Sequence, residues 1–144
     1  MGNQVSRSGR SRNTAPMLLL ESDPLLRRTV VLTARSLGLN EIHETGSVAL
    51  ARRMLGESHF AGAVIALDFG DRMYSQIDLT IIDTIRSHER MGDIPIAVLT
   101  AQCDAALLQE LQQRRVTRVI LKPFRARTLL DTFIAFHSDS HADD

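Results

Sequence analysis

The sequence predicts an α/β domain in which a doubly wound sheet of five parallel strands carries helices on both faces. Three observations predict it. Short apolar runs alternate with stretches of helical spacing from residue 17 to residue 136. The central run, Ala63-Val64-Ile65-Ala66-Leu67, is apolar at every position, as a parallel strand covered on both faces must be. Polar side chains gather where the runs end, at Glu21, Ser22, Asp23, Asp68, Thr100 and Lys122, and in such sheets ligands bind at the carboxyl ends of the strands.

The elements follow in order. Met17-Leu18-Leu19-Leu20 reads as a buried first strand. Asp23 is a good N-cap and Pro24 suits the first helical position, so a helix starts there. Leu25, Leu26, Val30, Val31, Ala34 and Leu37 recur at helical spacing, and Gly38 ends that helix. A weak second strand over 41–45 leads to a helix marked by Val48, Leu50, Ala51, Met54 and Leu55 and closed at Gly56. The third strand, 63–67, ends at Asp68 and gives way to a polar loop running to about Gln76. Leu79, Ile81, Ile82 and Ile85 mark the third helix. The fourth strand spans 94–100, with Pro95 near its start where a missing donor is tolerated. Asp104 caps a helix carrying Leu107, Leu108 and Leu111. Residues 119–121 form the fifth strand, and Leu129, Leu130, Phe133, Ile134 and Phe136 turn the last helix inward.

At 144 residues the chain is long enough for a single domain with a real core, assigned to 17–137. Residues 1–16 are polar and basic and are expected to be disordered; 138–144, polar and acidic, are expected to fray from His137 onward. The opening Met1-Gly2-Asn3-Gln4-Val5-Ser6 fits the loose N-myristoylation pattern, but nothing else in the chain supports lipidation. No apolar run approaches the roughly 18 residues of a membrane span. The formal charge is zero, so neither nucleic acid nor a membrane surface is an expected partner. The single cysteine, Cys103, leaves no disulfide framework and fits a reducing, cytoplasmic setting.

Lys122 is the most telling residue. It ends a buried strand and is followed by Pro123, and burial penalises its charge unless an anion sits opposite. The histidines show no metal-ligand spacing, no serine sits in a nucleophile elbow, and no glycine-rich loop opens a helix, so hydrolase chemistry and phosphate cradling are not expected.

These motifs together resemble the receiver domain of response regulators, the CheY-like superfamily. The acidic end of strand one followed by Pro24-Leu25-Leu26-Arg27-Arg28, then Leu99-Thr100-Ala101, then Lys122-Pro123-Phe124 look like the family's first-, fourth- and fifth-strand motifs, in order and on the right elements. The resemblance implies a flavodoxin-like sheet of order 2-1-3-4-5 and a cis peptide at Lys122-Pro123. It also implies a mechanism: an aspartate ending strand three takes a phosphoryl group, acids ending strand one help it hold Mg²⁺, and Thr100 and Lys122 bind the phosphoryl oxygens. The helix 4–strand 5–helix 5 face would then be read by partners.

The chain departs from that pattern twice. Glu21 and Ser22 stand where the family usually has two adjacent acids, and a hydroxyl is a poor replacement for a carboxylate on Mg²⁺. Strand three allows two registers. Either Asp68 is the phosphoacceptor, or Ala66 stands in its place and Asp68 lies two residues beyond, at the pocket mouth. The second register is the preferred one. The expectation is therefore a stand-alone, degenerate, non-enzymatic receiver with an impaired or absent phosphoacceptor. Lys122 is neutralised by Glu21, Asp68 or both, and any Mg²⁺ on Glu21 and Asp68 is weakly held. Asp23 is expected to serve as a cap. Arg114, Arg115, Arg118, Arg125 and Arg127 are candidates for a basic docking face. The expected partner is a protein such as a histidine kinase or phosphotransfer protein, with the chain a monomer or homodimer. Two alternatives are a working receiver phosphorylated on Asp68 and a ligand- or nucleotide-binding flavodoxin-like module.

Overall fold

The computed structural model describes residues 15–39, 41–67 and 79–142. Residues 1–14 of the expected basic tail, the loop after the third strand and Asp68 itself lie outside the described residues. In chain order the elements are β1 (Met17–Leu20), α1 (Pro24–Ser36), β2 (Ile42–Thr45), α2 (Val48–Glu57), β3 (Gly62–Ala66), α3 (Thr80–Arg86), β4 (Ile96–Thr100), α4 (Ala105–Gln113), β5 (Arg118–Leu121) and α5 (Ala126–Ala142). The sheet has five strands in the order β2-β1-β3-β4-β5, every neighbouring pair parallel, which is the doubly wound order the resemblance implies.

Strand periodicity divides the interior in two. On one face Leu18, Leu20, Ala63, Ile65, Ile96 and Val98 pack against α2, α3 and α4 through Ala51, Leu55, Ile82, Ile85 and Leu111. On the other, Met17, Leu19, Val64, Ala66, Ala97, Leu99 and Ile120 pack against α1 and α5 through Val30, Val31, Ala34, Leu129, Phe133 and Phe136. Alternate residues of one strand therefore serve different cores, and a one-residue change of register would exchange every partner.

Several boundaries differ from the sequence expectation for identifiable reasons. β3 begins and ends one residue earlier, at Gly62 and Ala66, although the Leu67 amide still donates to Leu99 O at 2.9 Å. β4 begins only at Ile96, because the Ile94 amide turns back to Met91 O. β5 gains Arg118, which pairs with Ala97. α2 runs one residue past Gly56 to Glu57. α5 continues to Ala142, through most of the segment expected to fray, where neither proline nor glycine interrupts it. Leu25 on α1 and Leu37 just after its end, expected to face the core, are exposed at 76% and 53%. The core stripe of α1 is carried by Val30, Val31 and Ala34. The N-cap expected at Asp23 is present, its carboxylate accepting from the Leu25 and Leu26 amides, and Gly38, at φ 72°, follows the last turn in the left-handed region that glycine adopts without penalty.

One latch was not legible in the sequence. The Arg86 guanidinium, at the end of α3, donates to four main-chain carbonyls, those of Gly92, Ile94, Arg114 and Arg115, at 2.7–2.9 Å. It ties the start of β4 to the α4–β5 turn, where Arg115 takes a positive φ of 59°. Burial, then the nearby Arg115 charge, push the Arg86 guanidinium below its ordinary range, with Asp93 opposing.

Candidate functional site

The carboxyl end of the sheet is built from the residues that follow β1, β3, β4 and β5. Glu21 follows β1 and is held by its main chain on two sides. Its amide donates to Thr45 O at 3.0 Å, extending the β1–β2 ladder by one bond, and its carbonyl accepts from Arg27 Nη1 at 2.6 Å. Only 1% of the residue is exposed. One carboxylate oxygen, Oε2, accepts from the Asp23 amide at 2.9 Å and more distantly from the Ser22 hydroxyl at 3.4 Å. The other, Oε1, lies 2.7 Å from Lys122 Nζ. That contact is a charge pair without hydrogen-bond alignment, so Oε1 is buried with a cation beside it but no well-aimed donor.

Lys122 arrives from the opposite side. Its amide donates to Thr100 O at 2.8 Å, the bond that continues the β4–β5 ladder beyond β5. The Lys122-Pro123 peptide is cis. Its side chain is 22% exposed, so the pair is open to water on the lysine side only. Lys122 is also the chain's single lysine, against sixteen arginines. An ammonium is a compact point charge, whereas guanidinium is a planar fork, and the compact group is the one at this strand end.

The sheet register brings Ala66 to the same neighbourhood. Leu20 pairs with Ile65, so Glu21 stands one step on, level with Ala66. Ala66 is buried, pairs with Leu99 and packs in the core that includes Ile120, two residues before Lys122. Thr100 is buried, and its hydroxyl closes a local turn, donating to Gln102 O at 2.9 Å and accepting from the Gln102 amide at 3.4 Å. Ser22 and Asp23 are exposed, and the Asp23 carboxylate is engaged at the start of α1.

Among the described residues the donors do not by themselves make a Mg²⁺ site, and Asp68 lies outside them. A hard dication takes oxygen ligands, usually carboxylates with water. Among the described residues Glu21 is the carboxylate directed into the pocket; one of its oxygens faces an ammonium and the other a main-chain amide. No group of three or more metal-ligating side chains occurs among the described residues.

The arginines expected on a docking face are dispersed. Arg114 pairs with Asp83 at 2.8 Å and with Glu110 at 3.1 Å; burial alone would lower its affinity for the proton, but the two carboxylates outweigh it and hold its pKa above the ordinary value. Arg115 pairs with Asp93 at 2.8 Å. Arg118 donates to the Thr132 hydroxyl, and Arg125 and Arg127 are exposed. Arg115 lies beside Gly92 and Asp93, before β4 begins, whereas Arg125 follows the carboxyl end of β5. Arg27 and Glu44 were missed as site residues, and nothing in their spacing marks them.

No family model matches the chain. It is 29% identical over 113 residues to the chemotaxis protein CheY-3 of Vibrio cholerae serotype O1, covering 78% of this chain and 84% of that protein. The structure of the V. cholerae chemotaxis protein CheY4 superposes with a TM-score of 0.72 at 20% identity, covering 85% of this chain and 98% of the other. The receiver domain of the sensor histidine kinase PA1611 from Pseudomonas aeruginosa, whose structure has a magnesium ion coordinated in the active-site cleft, superposes with a TM-score of 0.67 at 19% identity, over 86% and 98% of the two chains.

Proposed function

We propose that this chain, a homologue of CheY-3 with the fold of response-regulator receiver domains, is a two-component signalling module whose phosphoryl pocket is closed by its own ion pair. The observation that carries the proposal is the 2.7 Å contact between Lys122 Nζ and the almost fully buried Glu21 carboxylate. In the receiver pattern, the strand-five lysine answers charge that arrives on an aspartate ending strand three. Here its charge is already met by a residue of the chain. Ala66, level with Glu21, supports the register in which the acceptor position holds a methyl group, which has no oxygen to receive a phosphoryl group. Ser22 in place of an acid supports weak Mg²⁺ binding.

Without a phosphoryl cycle, signal passes through protein–protein contact. The partner is a protein of the same signalling system, a histidine kinase or phosphotransfer protein, met in the cytoplasm, and the chain has no catalytic role of its own. Incubation with acetyl phosphate and Mg²⁺ followed by intact-mass measurement tests this. No phosphoryl adduct is expected. An adduct that disappears in Asp68→Asn overturns the proposal and makes Asp68 a working acceptor.

A further inference from the structure

We infer that Arg27 is a positioning residue for the Glu21–Lys122 pair, seated by Glu44 in space left by Gly46. The inference rests on the proposal that this pair closes the pocket. Arg27 lies in the first turns of α1, yet its side chain reaches across the end of β1 to β2. Nη1 donates to Glu21 O at 2.6 Å and Nε pairs with Glu44 Oε1 at 3.2 Å. Glu44 is itself shared, its second oxygen 3.3 Å from Arg28 Nη1. With side chains only 19% and 20% exposed, the Arg27–Glu44 pair is a partly buried contact rather than a loose surface one.

Gly46 is what allows the reach. A Cβ there would lie 2.5 Å from Arg27 Nη1 and 3.4 Å from Glu21 O, so any side chain displaces the guanidinium from the carbonyl. Thr45 O takes the Glu21 amide while Arg27 takes its carbonyl. Both peptide groups of Glu21 are thereby fixed, and its carboxylate is presented to Lys122 by backbone restraint. This compensates for the poor alignment of the pair itself, in which Oε1 has no aimed donor. α1 and β2 are thus coupled to the pocket through one arginine.

The single lysine makes the test specific. Incorporating ¹⁵N-lysine gives one Nζ resonance, whose chemical shift and hydrogen exchange report the pair. In the native chain the ammonium protons should exchange slowly. Arg27→Ala should speed exchange severalfold and shift the resonance. Arg27→Lys, which keeps a donor for the Glu21 carbonyl, should restore part of the effect. Gly46→Ala displaces only the flexible tip of Arg27, removes no charge, and should move the signal in the same direction even if Arg27→Ala does not fold. Unchanged Nζ exchange and shift in Arg27→Ala and Gly46→Ala, with only a lower Tm, would make Arg27 merely structural and overturn the inference. Glu21→Gln separates the two claims. If it moves the lysine signal while the Arg27 and Gly46 variants do not, only this inference fails; if it too leaves the signal unmoved, the ion-pair reading fails with it.

Discussion

Replacing Lys122 with methionine removes the ammonium and keeps an unbranched side chain of similar reach. Glu21 is then left 1% exposed, with Oε2 still bound to the Asp23 amide and Oε1 facing no cation. Breaking a buried pair by removing one partner typically costs about 3–5 kcal/mol, because an uncompensated charge remains. Lys122 is 22% exposed, so water can approach Oε1 from that side and the cost moves to about 2–3 kcal/mol. For a domain of this size that lowers Tm by roughly 6–12 °C. Urea unfolding followed by circular dichroism measures it, with the slope checked so that only the midpoint has moved. Pairing Lys122→Met with Glu21→Leu leaves no charge behind and should recover most of the loss, a coupling of at least about 1.5 kcal/mol. A Lys122→Met protein within about 0.5 kcal/mol of the parent would show that the pair is solvated and that no buried charge is left behind.

Other consequences follow from residues outside the pocket. Arg86→Met removes four hydrogen bonds to main-chain carbonyls, of which Gly92 O alone keeps another side-chain donor, Arg115 Nη2 at 3.3 Å, and should cost roughly 2–4 kcal/mol, with Arg86→Lys recovering part; denaturant unfolding of both would show it, and a cost under about 1 kcal/mol would mean that water takes over the latch. Burial, then the adjacent Asp104 carboxylate, raise the Cys103 thiol above its usual pKa. Since only the thiolate is nucleophilic, iodoacetamide alkylation of the native chain should reach its midpoint at higher pH than in denaturant. Coincident midpoints would contradict that. Asp93→Asn should change stability by less than about 0.5 kcal/mol in the same unfolding assay, because Asp93 is 93% exposed and its pair with Arg115 is screened by solvent.

Much of the fold was written locally. Asp23-Pro24 sets the start of α1 through a cap and a fixed φ, and the apolar third run announces a strand covered on both sides. Lys122 before a proline pointed to a buried cation needing an anion, and Glu21 meets that need. What the sequence hid depended on three-dimensional neighbours. Leu25 matched the apolar spacing of α1 but lies on its open side, since periodicity gives a stripe without saying where the stripe's edge falls. Arg86 and Arg27 read as ordinary surface arginines because their acceptors are main-chain carbonyls, which every residue carries and no pattern distinguishes. Arg114 and Arg115 looked like a free basic patch until Asp83, Glu110 and Asp93 came beside them from other parts of the chain. The end of β3 was ambiguous because two registers one turn of the pleat apart both put an apolar run in the sheet.

Whether Glu21 neutralises the chain's one lysine can be read by selective acylation. An amine-reactive ester has two targets, the α-amino group and Lys122, so the first serves as an internal reference. In the native protein Lys122 should react far more slowly than the α-amino group, beyond what its intrinsic basicity explains, and Glu21→Gln should restore the rate of a free lysine. Equal Lys122 acylation rates in the parent chain and in Glu21→Gln would contradict it.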